Sequence, residues 1–386
     1  MIRTIARIAA AGAALALWAA PLAAQEEEGK TEEKRPRVDV VFALDTTGSM
    51  GGLIQGAKEK IWSVVNQIAR GKPAPVIRVG LVGYRDKGDD YVTKKTDLTD
   101  DLDLMYKELM AFDAQGGGDG PEHVNEALRV AVHEMSWTTD ATLKILFLVG
   151  DYEPHMDYDD DVDYPATCEA AVRSGIIVNA IRCGDNSECG RVWLDIANRS
   201  EGKFVTIAQD GGVVSIPTPY DGRIGELNGK INETFVYFGA PEARDAAREK
   251  LDADDRTAGA AGAPAESSRA EFKARAALES ESSYTRGDLV TESQKEDFDL
   301  GAVKDEELPE DLRGKSAEEK KALLDEMYAK RAAVQKEIEE LSREREAFIQ
   351  EELAKRADKP SGFDAEVWEI LKEQGEKKGI EYSDGK

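Results

Sequence analysis

The chain predicts a doubly wound α/β domain with a mostly parallel central sheet, followed by a largely α-helical C-terminal region. Three observations carry this. Short runs that are apolar on both faces recur between residues 37 and 238, as strands buried inside a parallel sheet require. Segments with apolar residues at three–four spacing separate them, and that alternation is the pattern of a layered α/β sheet. After Phe238 the apolar runs stop, and charged or small residues take over.

The elements follow in order. Val38–Leu44 is apolar throughout except Asp39 and reads as a central strand. Leu53–Ala69 carries Ile54, Ala57, Ile61, Val64, Val65 and Ile68 on one helical stripe. Val76–Tyr84 is a second strand and Val92–Thr96 a short third. Leu102–Phe112 and Glu122–Met135 read as helices, and Leu143–Val149 as a buried strand. Val162–Ser174 is a helix, Ile176–Ile181 a strand, Arg191–Arg199 a helix and Phe204–Ile207 a last strand. In such sheets ligands bind beyond the carboxyl ends of the strands.

Beyond this domain, residues 239–300 read as a linker or poorly ordered stretch, because Ala258–Ser268 is rich in Ala, Gly, Ser and Pro. Residues 301–386 read as a helical region. Ser316-Ala317-Glu318-Glu319 is a capping-box signature that opens a helix reaching about Arg356. Leu324, Met327, Val334, Ile338, Leu341 and Phe348 form its seam, which Arg331 and Arg345 interrupt. Two readings stay open for it: a coiled-coil arm, or a single amphipathic helix lying on its own domain. Phe363, Val367, Trp368 and Leu371 suggest one last short helix.

The amino terminus bears on location. Arg3 and Arg7 precede an apolar run from Ile8 to Ala20, and Leu22-Ala23-Ala24 supplies small residues before Gln25. Residues 1–24 therefore read as a signal peptide cleaved after Ala24, and residues 25–36 as an acidic tether. A secreted or periplasmic protein with no stable membrane insertion after cleavage is expected. There a disulfide between Cys183 and Cys189 is one of three possible pairings with Cys168.

The chain has 386 residues, with 51 Lys and Arg against 77 Asp and Glu, for a formal charge of −26. Such an acidic surface repels nucleic acid and anionic membranes and favours cations or basic partners. Three Cys are too few for a disulfide scaffold, and three His without a Cys-x-x-Cys pair argue against a structural zinc site. A phosphate loop, a dinucleotide-binding glycine fingerprint and a Gly-x-Ser-x-Gly elbow are absent.

What chemistry the sequence does offer lies in three loops. Directly after the first strand comes Asp45-Thr46-Thr47-Gly48-Ser49, in which Asp45, Thr47 and Ser49 present a carboxylate and two hydroxyls at alternating positions. Such oxygens suit Mg²⁺, or Ca²⁺ and Mn²⁺, rather than Zn²⁺. Gly116–Glu122 precedes a helix, and Gly150-Asp151 ends a strand, so Asp119, Glu122 and Asp151 fall on the same rim. Farther along, Asp157, Asp159 and Asp161 alternate within an acidic run and make a candidate second cation site, although the EF-hand pattern is missing.

Asp45-Thr46-Thr47-Gly48-Ser49, Gly116–Glu122 and Leu148-Val149-Gly150-Asp151 together resemble the von Willebrand factor A (vWA) domain family. That resemblance spans about residues 37–238. It implies a Rossmann-like domain with a metal-ion-dependent adhesion site, in which Asp45, Thr47, Ser49 and Asp151 are ligands. The second loop departs from the family by holding no Thr. Its Asp119-Gly120-Pro121-Glu122 is more similar to the integrin β-subunit version, which makes Glu122 a ligand and places Asp119 nearby or at a second cation. Val82–Asp86, and Cys183-Gly184 with Trp193–Ala197, look like secreted bacterial members.

The resemblance implies a non-enzymatic, cation-dependent protein-binding module of adhesion or scaffold type, whose protein partner docks at the metal rim or on the helical tail. A third acidic ligand neutralises the ion further, so an incoming carboxylate is attracted less than in a Thr-containing shell. Two alternatives stand beside this. In one the metal only ties loops and the helical tail recognises the partner. In the other the site is a metal-dependent hydrolase, although Thr47 stands where phosphoryl transfer usually wants a second acid.

Overall fold

The computed structural model describes residues 35–212, 215–260, 262–278, 282–355 and 362–382. The signal-peptide reading of residues 1–24 lies outside them, as does most of the tether.

Six strands form one sheet in the order β3-β2-β1-β4-β5-β6. They are β1 (Arg37–Asp45), β2 (Val76–Tyr84), β3 (Thr93–Thr99), β4 (Leu143–Gly150), β5 (Ile177–Cys183) and β6 (Phe204–Ile207). All pairings are parallel except β2 with β3, which puts the single antiparallel strand at an edge. β1 lies between β2 and β4, and the order of winding reverses there. This is the switch point at which open α/β sheets bind ligands.

Alternation along the strands builds two cores. Val38, Val40, Phe42 and Leu44 of β1 face one side, with Ile145, Phe147 and Val149 of β4 beside them. Helices α1 (Gly51–Ala69) and α2 (Leu102–Met110) cover that side. Val41, Ala43, Leu146, Leu148, Val178 and Ala180 face the other. There α3 (Val124–His133), α4 (Tyr164–Arg173) and α5 (Ser187–Arg199) pack. Buried Asp39 is held by a two-pronged pair with Arg78, at 2.6 and 2.9 Å, and accepts from the Thr138 amide. A charge inside an apolar run is tolerated only when paired in this way.

The remaining helices are α6 (Asp221–Asn232), α7 (Pro241–Ala260), α8 (Ala263–Ala276), the one-turn α9 (Leu289–Glu292), α10 (Ala317–Ala354) and α11 (Phe363–Glu376). Residues 239–300, expected as a linker, thus hold ordered helices. The small residues that suggested a linker are packing residues. Ala265, Ser267, Ser268, Ala270 and Ala274 of α8 are buried, and α8 lies against α1 and α6. Asn66 of α1 donates to the Ser268 carbonyl at 2.6 Å. Gly262, at φ +94°, separates α7 from α8, and Pro264 sits in the first turn of α8, where its missing N–H costs nothing.

The capping box at Ser316 and Glu319 forms as expected. α10 lies along α6, α8 and α9 of its own chain, so it is the single docked helix rather than a free arm. The two arginines that break its seam anchor it. Arg331, fully buried, pairs with fully buried Asp288 at 2.7 Å and donates to Thr234 and the Ala277 carbonyl. Arg345 pairs with Asp221 at 2.7 Å.

The domain boundary expected at residue 238 is corrected by α11. Phe363, Val367, Ile370 and Leu371 are buried in the same core as α1 and β1, and the Phe363 ring lies 6.2 Å from Phe42. Lys72 and Glu381 bridge backbone to backbone. The α/β domain is therefore closed by a helix that follows the whole helical segment in sequence. No helix among the described residues is long and apolar enough to cross a membrane.

The Cys183–Cys189 disulfide does not form; all three cysteines are free and buried. Cys183 ends β5 on the α1 side of the sheet, whereas Cys189 lies on α5 in the opposite core. The sheet itself separates them.

Phe363→Ala is expected to lower unfolding free energy by about 3–5 kcal/mol, the cost of emptying a large core site. Chemical denaturation followed by circular dichroism measures it. A loss below about 1 kcal/mol would mean that α11 is not part of the α/β core.

Candidate metal centre

Three loops meet at the carboxyl edge beside the switch point. The first follows β1, the second precedes α3 and the third follows β4. Backbone bonds stitch the first two together: the Gln115 amide donates to the Thr46 carbonyl at 3.1 Å, and the Gly48 amide to the Gly116 carbonyl at 3.3 Å. Buried Arg85 spans both, donating to the carbonyls of Thr46 and Asp113. The Glu122 amide donates to the Glu153 carbonyl, and the His155 amide to the Glu122 carbonyl, so one parallel β-bridge, Glu122 with Pro154, joins the second and third loops.

Two glycines let these loops approach. A Cβ on Gly150 would stand 2.4 Å from the Tyr84 hydroxyl and 3.1 Å from the Asp45 carboxylate. Gly117, at φ +80°, lies between Thr47 and Glu122, and a Cβ there would meet each at 3.3 Å.

The side chains gather at this edge, near enough for the charges of Asp45 and Asp151 to act on Glu122. Asp45 is fully buried; its Oδ1 accepts from the Thr47 amide at 2.8 Å and the Thr47 hydroxyl at 2.6 Å. The Thr47 hydroxyl stands 3.4 Å from that of Ser49, which is exposed. One oxygen from each loop is buried without a hydrogen-bond partner: Asp45 Oδ2, Glu122 Oε2 and Asp151 Oδ1. The other Asp151 oxygen accepts from Gln209 at 2.7 Å. Sequence reasoning missed Gln209, which follows β6 and has no pattern of its own. Buried carboxylate oxygens without donors are costly, and a divalent cation removes that cost directly. A hard divalent ion fits this donor set of carboxylate and hydroxyl oxygens.

Electrostatics point the same way. Burial pushes the Asp45 carboxyl up to about 7, with the Asp151 charge adding to the shift and the Thr47 bonds opposing it. Burial also pushes Glu122 up to about 9, aided by the charges of Asp45, Asp86, Asp89 and Asp151.

Asp119 does not join this cluster. Its side chain is 64% exposed and lies 3.9 Å from His155. The alternating run Asp157, Asp159 and Asp161 does not converge either. Asp157 bonds His155, Asp161 faces buried His123 at 3.5 Å, and Asp159 is exposed. Asp157 and Asp161 thus take separate partners, and the run does not form one shell.

Residues 39–155 match the sequence model of the von Willebrand factor A domain. Von Willebrand factor A domain-containing protein 7 of Homo sapiens is 36% identical over 124 residues, or 31% of this chain and 13% of that protein. The Rattus norvegicus protein of the same name is 35% identical over the same shares. This chain thus spans 13% of the length of these curated relatives. Among solved structures, proximal thread matrix protein 1 from the mussel byssus is similar at 18% identity and TM-score 0.35, covering 46% of this chain and 43% of that one. The SpRpn10 VWA domain is similar at 12% identity and TM-score 0.34, covering 45% and 89%. The family match and the relatives support a von Willebrand factor A-type domain in this part of the chain, and the sheet with its flanking helices is a vWA-like fold.

A carboxyl whose folded-state pKa lies above its ordinary value stabilises the fold only while protonated. Without a cation, stability should therefore fall as pH rises from the ordinary carboxylate range through about 7 for Asp45 and about 9 for Glu122. A bound cation favours the ionised forms and reverses the trend. Thermal melts from about pH 6 to about pH 9 are expected to show Tm falling in chelator. The gain in Tm on adding Mg²⁺ should grow over the same interval. A Mg²⁺ effect independent of pH would show that these carboxyls do not change protonation on metal binding.

Proposed function

We propose that the protein is a divalent-cation-dependent protein-binding module of vWA type, of adhesion or scaffold kind rather than an enzyme. Asp45, Thr47, Ser49, Glu122 and Asp151 would hold Mg²⁺, or Ca²⁺ or Mn²⁺, with one coordination position open to an oxygen of the partner. The observation that carries this reading is the trio of buried, unpartnered carboxylate oxygens contributed by three different loops. Buried Thr47 and exposed Ser49 add hydroxyl oxygens. The ion supplies charge that draws in a partner's oxygen, while Arg85, Gln209 and the glycines hold the loops in place.

Docking at the metal rim is favoured over docking on the helical tail, because α10 already lies against α6, α8 and α9. Calorimetric titration with Mg²⁺, Ca²⁺ and Mn²⁺ tests the site. Asp45→Ala is expected to weaken binding by more than about tenfold, as loss of even an outer partner does. Partner capture by the wild type should disappear in chelator. Capture that persists unchanged in chelator or in Asp45→Ala would sink the adhesion reading.

A secreted or periplasmic location is proposed with it, on the Arg-flanked apolar run of residues 1–24. Mass analysis of the amino terminus in fractionated cells should find a chain beginning at Gln25 outside the cytoplasm. Intact Met1 on cytoplasmic protein would overturn the location.

A further inference from the structure

A cavity lies at the edge of the sheet opposite the metal loops, where α8 of the helical segment meets the end of α1 and the start of β2. Ala69, Val76, Ile77, Phe272 and Ala276 give it carbon walls. The Phe272 ring packs against Trp62 at 5.7 Å and Tyr284 at 6.5 Å, which holds that wall in place. The cavity leaves about 80 Å³ of room. At about 10–15 Å³ for each water-sized occupant, roughly five to eight non-hydrogen atoms fit.

Its polar lining is basic. Arg35 and Arg275 border the cavity, with Asp100 beside them. Asp100 is already paired with Arg286. Glu271, one turn before Arg275 on α8, is shared by Arg70 at 2.5 Å and Arg275 at 3.3 Å. Among the described residues, four arginines thus stand here against two carboxylates, in a chain whose net charge is −26. The Arg275 Nη1 atom is also buried without a hydrogen-bond partner. A buried donor without an acceptor costs free energy, and an anion supplies the acceptor.

Charge decides between two readings. A gap left by imperfect packing between layers has no reason to gather surplus positive charge, least of all in an acidic chain. A site for an anion with an apolar body needs both features, carbon walls and a few placed polar groups. The planar guanidinium of Arg275 matches a carboxylate in two-pronged fashion. Inorganic phosphate has no carbon for the walls, and a nucleotide or a long acyl chain exceeds the room.

We propose that this cavity binds a small aliphatic carboxylate of about the size of hexanoate, its charged end at Arg275 and its chain among Val76, Ile77 and Phe272. The walls come from the α/β domain on one side and from α8 on the other, so the bound acid ties the helical segment to the sheet. The site stands apart from the Asp45 shell, and neither reading depends on the other.

Titration of the whole chain with hexanoate, followed through the methyl NMR signals of Val76 and Ile77, tests the site. The shifts should saturate with a Kd of about 1 mM, as befits so small a ligand. 1-Hexanol, with the same carbon chain and no charge, should bind at least about tenfold more weakly. Inorganic phosphate should leave these signals in place. Arg275→Gln should weaken hexanoate at least about tenfold and leave 1-hexanol as it was. Ala276→Leu, whose longer side chain occupies the cavity, should abolish the shifts, and Asp45→Ala should bind hexanoate like the wild type. Should either cavity variant fail to fold, the comparison of hexanoate with 1-hexanol in the wild type still decides. No saturation, equal affinity for 1-hexanol, or unchanged hexanoate affinity in Arg275→Gln would each overturn the proposal. Phosphate moving the same signals as strongly as hexanoate would overturn it too, because charge alone would then account for binding.

Discussion

Like charge gathered at the centre of the carboxyl edge is the constraint around which this molecule is organised. Asp45, Glu122 and Asp151 are buried and acidic, the charges of Asp45 and Asp151 push the Glu122 carboxyl up, and each of the three leaves an oxygen without a donor. Nothing in the local geometry favours that arrangement unless a cation completes it. The surrounding structure is built to resist the repulsion. Arg85 and two backbone bonds clamp the first loop to the second, a single β-bridge fixes the second to the third, and Gln209 donates to Asp151. Those supports hold the three loops in place without any ion.

On the proposed function, the same rim would set partner chemistry apart from that of a Thr-containing shell. Three carboxylates offset a divalent charge more fully than two, and further acids surround them at Asp89, Asp119 and Asp157. An incoming carboxylate would meet a weaker field. Neutral oxygen donors, or a partner with basic groups flanking its ligand atom, match this surface better.

Much of this was legible in the sequence. The strands from Val38 to Ile207 follow from apolar runs, and the Asp45, Glu122 and Asp151 loops from their places at strand and helix ends. Three kinds of information were not legible. Small residues in α8 look like a linker because composition does not distinguish a flexible stretch from a helix packed tightly against its neighbours. Arg331 and Arg345 look like breaks in a seam because their partners, Asp288 and Asp221, are supplied by distant turns. Short sequence separation suggested that Cys183 and Cys189 could join, but they lie in opposite cores. In each case the deciding neighbour is remote in sequence or across the sheet.

The position of α11 has a consequence for how the chain is made. Phe42 belongs to the first strand, and Phe363, against which it rests, belongs to the last helix. During synthesis the sheet can assemble from its own strands with α1 and α2, but the part of that face that α11 covers stays open until α11 has emerged. Until then that greasy face is a target for chaperones and proteases. Closure by α11 therefore ties the core of the sheet to a segment far downstream in sequence: a chain cut before α11 would keep the Asp45, Glu122 and Asp151 loops and leave the core beneath them unsealed.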